Sequence, residues 1–227
     1  RQTLQLLGSS GAIIGLGISA ISNAKYRRAI EEVLKDYDAR QVFEERISER
    51  LEPVMGAHAV RVDPLGSAPG YQAKRDAERA RLRSLRGQGH DSLLDLKMTY
   101  GLFGYEGTLI TKLDAVLLEL PKGKRLWAES LVVSSEDILA SDRLSDPTKR
   151  LGPNFSALRL TIGENAIEKW TGDGGATLRA RYEAAVDGVV SALLTGMGLA
   201  DEAKGHYYLG HQAMHQKKFE KADAHFK

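Results

Sequence analysis

The chain has 227 residues, with 32 Lys and Arg against 30 Asp and Glu, and the resulting net charge of +2 makes no whole-chain case for nucleic-acid binding. Cysteine is absent, which excludes disulfide frameworks, thiolate metal sites and cysteine catalysis. With 42% hydrophobic and 27% charged residues, the composition is that of a globular protein large enough for one sizeable domain, or a domain with a small appendage.

Residues 1–23 read as an apolar, Gly- and Ser-rich leader, without a charge from Leu4 to Asn23. Its length suits a membrane span, and Gly11 and Gly15 stand four apart, a spacing that lets helices approach closely in a bilayer. The same glycine load suits a strand or a loosely packed apolar start. With Arg1 in place of Met, a mature or trimmed product is expected, membrane proximity through residues 1–23 being one outcome.

An α/β domain is expected over residues 24–199. Ala24 to Val54 reads as one helix, with Ile30, Val33, Leu34 and Tyr37 and then Phe43, Ile47, Leu51 and Val54 at spacings of three and four. Pro53 and Gly56 should stop it. Ala59, Val60 and Val62 suggest a short strand before the turn residues "LGSAPG". A second helix, Tyr71 to Arg86, carries Lys74, Arg75, Arg79, Arg81, Arg83 and Arg86 against only Asp76 and Glu78. Such a helix can hold phosphates or an anionic membrane surface, but without interleaved aromatics it reads as a solvated face.

The middle of the chain alternates with period two. Leu94, Leu96, Met98 and Tyr100 share one face of a strand from Ser92 to Phe103, and Leu109, Thr111, Leu113, Ala115 and Leu117 share one face of the next, Gly107 to Leu120. The reversal "PKGK" returns the chain through Arg125 to Ser135, so the three strands should form an antiparallel meander. Ile138 to Leu151 is polar and turn-rich. A short strand is expected near Leu158 to Ile162 and a helical turn around Ile167 and Trp170. A long helix follows, its stripe built from Leu178, Tyr182, Ala185, Val186, Val189, Val190, Leu193 and Leu194, and it should lie across the sheet. The fold class is therefore α+β: an antiparallel meander sheet with flanking helices, followed by a helical hairpin over residues 200–227.

Few residues suggest chemistry. No GxxxxGK[ST], GxSxG or HExxH motif occurs. The glycines of "TGDGGATLRA" precede a helix and could present amides to an anion, but they lack the lysine and hydroxyl of a nucleotide site and read as a turn. Glu44-Glu45 and Asp36/Asp38 sit on charged helix faces. His211 and His215 stand four apart, with His206 a turn earlier, yet no carboxylate completes the set at helical spacing. No catalytic residue, cofactor or metal is expected.

The final stretch, "YYLGHQAMHQKKFEKADAHFK", resembles a tetratricopeptide (TPR) repeat. Leu209-Gly210 supply the first helix's pair, Phe219 opens the second helix, and Ala222 and Phe226 give A-x-x-x-F at the matching distance. His206 and Ala213 depart from the pattern, standing where large aromatics are usual, and the closing Pro is not reached. The resemblance implies that Tyr207, Leu209, Gly210, Phe219, Ala222 and Phe226 serve repeat packing and protein interaction. A lone repeat cannot bury its own face, so further repeats beyond Lys227, or packing on the preceding domain, are expected.

Ala24 to Leu199 resembles the α/β domain of bacterial envelope lipoproteins related to the curli-secretion protein CsgG and the N-terminal domain of TolB. The resemblance is carried by "LLDLKMTYGLFGYEGTLITKLDAVLLELPKGKRLWAESLVVSS", with its "KGKRLW" hairpin at Lys122 to Trp127, and by the preceding "ISERLEPVMGAHAVRVDP". It implies a non-catalytic assembly or scaffold protein, periplasmic and associated with the outer membrane, that forms homo- or hetero-oligomers in a secretion or surface machine. The lipid-bearing Cys of such a protein would be expected before Arg1. The alternatives are a cytosolic TPR adaptor and a nucleotide-binding enzyme using the Gly172–Gly175 loop; no nucleic-acid partner is expected.

Overall fold

The computed structural model describes residues 4–8, 24–55, 60–61, 70–103, 107–134 and 164–226. The expected strand near Leu158, the polar stretch from Ile138 and the glycines at 11, 15 and 56 lie outside these residues. In chain order the elements are β1 (Leu4–Gly8), α1 (Ala24–Leu34), α2 (Ala39–Met55), β2 (Val60–Arg61), α3 (Tyr71–Gly87), β3 (Ser92–Phe103), β4 (Thr108–Glu119), β5 (Lys124–Ser134), α4 (Glu164–Thr171), α5 (Ala176–Gly196), α6 (Ala203–His215) and α7 (Phe219–Phe226).

The architecture is α+β. Its sheet runs β2-β1-β3-β4-β5. The meander is antiparallel as its alternation requires, pairing Leu94 with Leu117, Leu96 with Ala115 and Met98 with Leu113, and then Leu113 with Leu131. The strand reading of the first residues holds for Leu4–Gly8: β1 lies parallel to both β2 and β3, with Gln5 opposite Val60 and Leu93. The sheet thus draws on residues before Ala24.

One face of the meander carries the main core. Leu94, Leu96, Met98, Leu113, Ala115 and Leu131 are buried beneath α5, whose Val186, Val189, Val190, Leu193 and Leu194 are buried with them. Phe43, Ile47 and Leu51 of α2 and Ile167 and Trp170 of α4 complete it. Each such aliphatic side chain contributes roughly 1.5–3 kcal/mol of burial, which outweighs the weak helix propensity of the valines in α5. The Trp170 indole N–H donates to the Gly107 carbonyl at 2.7 Å. Gly107 has φ +61, and a Cβ there would stand 2.8 Å from the Ala166 methyl, so the strand entry requires glycine. On the opposite face α3 builds a smaller core from Leu82 and Leu85 against Leu93 and Leu120.

The single helix expected over Ala24–Val54 is two helices. The Asp38 carboxylate accepts the backbone N–H groups of Arg40 and Gln41, each at 3.0 Å, and so caps α2 at its own start. The step of six from Tyr37 to Phe43 is the sequence mark of that break. Pro53 lies inside α2 instead of ending it. No helix among the described residues is long and apolar enough to cross a membrane.

Candidate functional site

Two seams made by small residues mount the C-terminal hairpin on the body and close it on itself. At the first, α6 crosses α5. A Cβ on Gly188 would stand 2.7 Å from the Tyr208 ring, and one on Gly205 would stand 2.1 Å from Thr195 Oγ1 and 2.6 Å from the Ser191 carbonyl oxygen. At the second, α7 folds back on α6, and a Cβ on Gly210 would lie 2.6 Å from two carbons of the Phe226 ring. The reversal between them turns on Lys217, at φ 57, with Lys218 N–H donating to the Ala213 carbonyl at 2.8 Å in the manner of a Schellman cap.

Polar contacts fix the hairpin's orientation. Arg50 of α2 donates from Nη2 to both carboxylate oxygens of Glu202, the residue preceding α6, and from Nη1 to Ser191 Oγ at 3.0 Å. The Arg50 guanidinium holds the Glu202 carboxyl below the usual carboxylate range. On the edge strand, the Val132 N–H donates to Gln212 Oε1 at 3.2 Å, while Gln212 Nε2 donates to Glu129 at the same distance. Lys221 of α7 reaches the other Glu129 oxygen at 3.4 Å. The hairpin therefore covers the outer edge of β5, where an open strand would pair with another chain.

The six residues singled out from the sequence divide into two groups. Leu209 is buried in the main core, and Ala222 is buried between the helices. Gly210 forms the close approach to Phe226. Tyr207, Phe219 and Phe226 remain 40%, 65% and 48% exposed, and Met214 joins them at 41%. His211 is buried between two of these aromatics, with ring centroids 4.3 Å from Tyr207 and 5.3 Å from Phe226. The hairpin thus turns Leu209, Gly210 and Ala222 inward and leaves Tyr207, Met214, Phe219 and Phe226 as its exposed apolar rim.

Beside that rim lies an open cleft of about 700 Å³, lined in part by Asp201, His206, Tyr207, His225 and Phe226. His206 and His225, nineteen residues apart, face each other with Nδ1 to Nδ1 at 3.0 Å. His206 Nε2 stands 2.7 Å from Asp201 Oδ1. The Nδ1–Nδ1 contact is a hydrogen bond when one ring donates its Nδ1–H and the other offers a lone pair there, the roles following the tautomers. Burial, and then the neighbouring His206, lower the pKa of His225. The sequence search missed this pair because it looked along one helix, whereas the rings meet across two. Among the described residues no group of three or more His, Asp or Glu is placed to hold a metal ion.

The Gly172–Gly175 loop is occupied by its own side chains. The Asp173 carboxylate accepts the Thr177 N–H at 2.8 Å and its hydroxyl at 2.6 Å, taking the position at the α5 start that an anion would need. Arg179 donates to the Val33 and Gly174 carbonyls, and Gly175, at φ +81, is pressed against Val33. Through Arg179 and Gly175 the loop ties α1 to α5.

No family model and no curated protein matches the chain. Among solved structures it is similar to a PelC dodecamer from Paraburkholderia phytofirmans, at 14% identity, TM-score 0.33, covering 67% of this chain and 87% of that one. It is also similar to the hypothetical protein CT253 from Chlamydia trachomatis, at 12% identity, TM-score 0.32, covering 82% and 98%. A third is lipoprotein GNA1162 from Neisseria meningitidis, at 12% identity, TM-score 0.28, covering 66% and 96%. Superpositions this loose assign neither family nor role.

Proposed function

We propose that this protein is a non-catalytic assembly or scaffold component of the bacterial cell envelope, whose C-terminal hairpin binds a protein partner in the manner of a TPR repeat. The observation that carries the proposal is the division of the hairpin into an inward glycine–alanine seam and an outward rim of Tyr207, Met214, Phe219 and Phe226. Aromatic and Met side chains exposed together on a rigid support are what protein interfaces draw on. The envelope setting, outer-membrane association and oligomerisation come from the resemblance carried by the meander and its "KGKRLW" hairpin. The Gly172–Gly175 loop, filled by Asp173 and Arg179, favours this reading over a nucleotide-binding enzyme.

The test is site-specific photo-crosslinking in envelope preparations, with the crosslinker at Phe219 and, as control, at exposed Glu45 of α2. A discrete adduct to one protein from Phe219, absent from Glu45 and abolished by Met214→Glu, supports the proposal. No adduct from Phe219, or identical adducts from both positions, refutes it.

A further inference from the structure

The charge of the chain is unevenly placed. By sequence α3 carries six basic residues and two acids, and the β4–β5 tip, Leu120 to Leu126, carries three basic residues and no acid, while the whole chain stands at only +2. The rest of the chain is therefore net negative. Within α3, Arg75, Arg79, Arg83 and Arg86 recur at spacings of four, four and three and are all exposed, so they form one stripe along the helix. At the tip Lys122, Lys124 and Arg125 are exposed as well.

The two basic segments are neighbours. The helix buries Leu82 and Leu85 against Leu93 and Leu120, at the strand ends that lead into the tip. A Cβ on Gly123 would stand 2.8 Å from Leu82 Cδ1, so the tip rests on the helix turn that carries Arg79, Arg83 and Arg86. Intramolecular neutralisation is slight. Arg79 has Asp76 at 3.9 Å, and Arg86 pairs with Asp91. Among the described residues no acid pairs with Arg75, Arg83, Lys122, Lys124 or Arg125. Two apolar side chains border the patch without being covered: Tyr71, at the start of α3, is 81% exposed, and Leu126, next to Arg125, is 52% exposed.

We infer that α3 and the β4–β5 tip form a surface for an anionic lipid bilayer, with the arginine stripe on the headgroups and Leu126 and Tyr71 at the interface. A bilayer fits better than a nucleic acid. The stripe has no interleaved aromatics on which bases could stack, whereas cationic residues flanked by an exposed Leu and Tyr are the elements of interfacial binding. None of its residues belongs to the C-terminal hairpin, so the inference stands independently of the proposed function.

Co-sedimentation of the full chain with phosphatidylcholine vesicles, with and without about a third phosphatidylglycerol, tests it. The protein should bind the anionic vesicles and leave the neutral ones, and binding should weaken as salt is raised through the physiological range. The triple variant R75Q/R79Q/R83Q, with circular dichroism showing an unchanged fold, should bind about 100-fold more weakly, since each basic residue near such a surface strengthens binding by roughly fivefold. Leu126→Asp should weaken binding to the same vesicles while leaving all the arginines in place. Failure to bind anionic vesicles, unchanged binding by the triple variant or by Leu126→Asp, or tighter binding to duplex DNA than to vesicles would each overturn the inference.

Discussion

Replacement of Gly205 by Ala sets two effects of opposite sign against each other. In a helix interior, Gly→Ala alone stabilises by roughly 0.5–1 kcal/mol, because it removes backbone freedom from the unfolded chain. Here the new methyl would sit 2.6 Å from the Ser191 carbonyl oxygen, 2.8 Å from Thr195 Cβ and 2.1 Å from Thr195 Oγ1. The hydroxyl can rotate away, but the Ser191 carbonyl is α5 backbone and the Thr195 Cβ is bonded directly to it, so both move only if the helices part. Overpacking of this kind costs about 1–3 kcal/mol, so the net expectation is destabilisation by about 1–2 kcal/mol. Gly210→Ala makes a contrast: its methyl meets the end of a half-exposed Phe226 ring that can swing outward, so the change should be near neutral, within about 0.5 kcal/mol. Gly87→Ala, at a position with nothing within 4 Å, should be neutral to stabilising. Urea unfolding followed by circular dichroism measures all three. If Gly205→Ala is as stable as the parent while Gly87→Ala behaves as expected, α6 does not cross α5 at this glycine and the packing argument fails.

Three further outcomes follow from single contacts. Gln212→Ala leaves the Val132 N–H without its acceptor and should lower stability by about 1–2 kcal/mol in urea unfolding; light scattering should also show concentration-dependent association through the uncovered β5 edge. Asp95 has its pKa raised, chiefly by burial under α3, so its ionisation opposes folding and stability is lost as pH rises through its titration; Asp95→Asn should raise the Tm at neutral pH and flatten that loss. His225 has its pKa lowered, so its contribution is complete above the ordinary histidine range of about 6.5 and is lost as pH falls through its own pKa; His225→Asn should remove part of the acid-side decline in Tm, and an unchanged profile would show that the His206 contact has no effect on folding.

Strong periodicity made the meander legible. Leu94, Leu96 and Met98 could face only one way, the short "PKGK" reversal forced antiparallel pairing, and the observed strands match their expected bounds to within a residue. The wide stripe of α5 announced its burial in the same way. β1 was harder, because a short, charge-free run of Leu4, Gln5, Leu6 and Leu7 next to a Gly- and Ser-rich stretch looks alike whether it enters a sheet or a bilayer. The break between α1 and α2 was visible only as a skipped turn, and its cause is a side chain, Asp38, that also resembles any other charge on a helix face. In the candidate site, Leu209, Gly210, Ala222 and Phe226 could be read from their spacing. Arg50, Glu202, Gln212 and the His206–His225 pair could not, since polar contacts between elements leave no periodic trace in either partner.

Glycines within helices are the better guide to how the hairpin is mounted. An interior helical glycine is unfavourable by about 1 kcal/mol, so its presence asks for a close approach. Gly188, Gly205 and Gly210 all answer that demand, with Tyr208, the α5 backbone and Phe226 respectively. The reading from sequence used only the last of them, because a repeat pattern drew attention to it. The other two show that α6 is joined to α5 as closely as α7 is joined to α6. Leu209 enters the main core and Gln212 covers the strand edge, so truncation at Tyr207 would strip material from the body of the protein as well as the proposed contact surface. Loss of a partner after such a truncation would not separate binding from folding. Substitution at Phe219, 65% exposed at the start of α7, does separate them, and it is there that the interaction has to be tested.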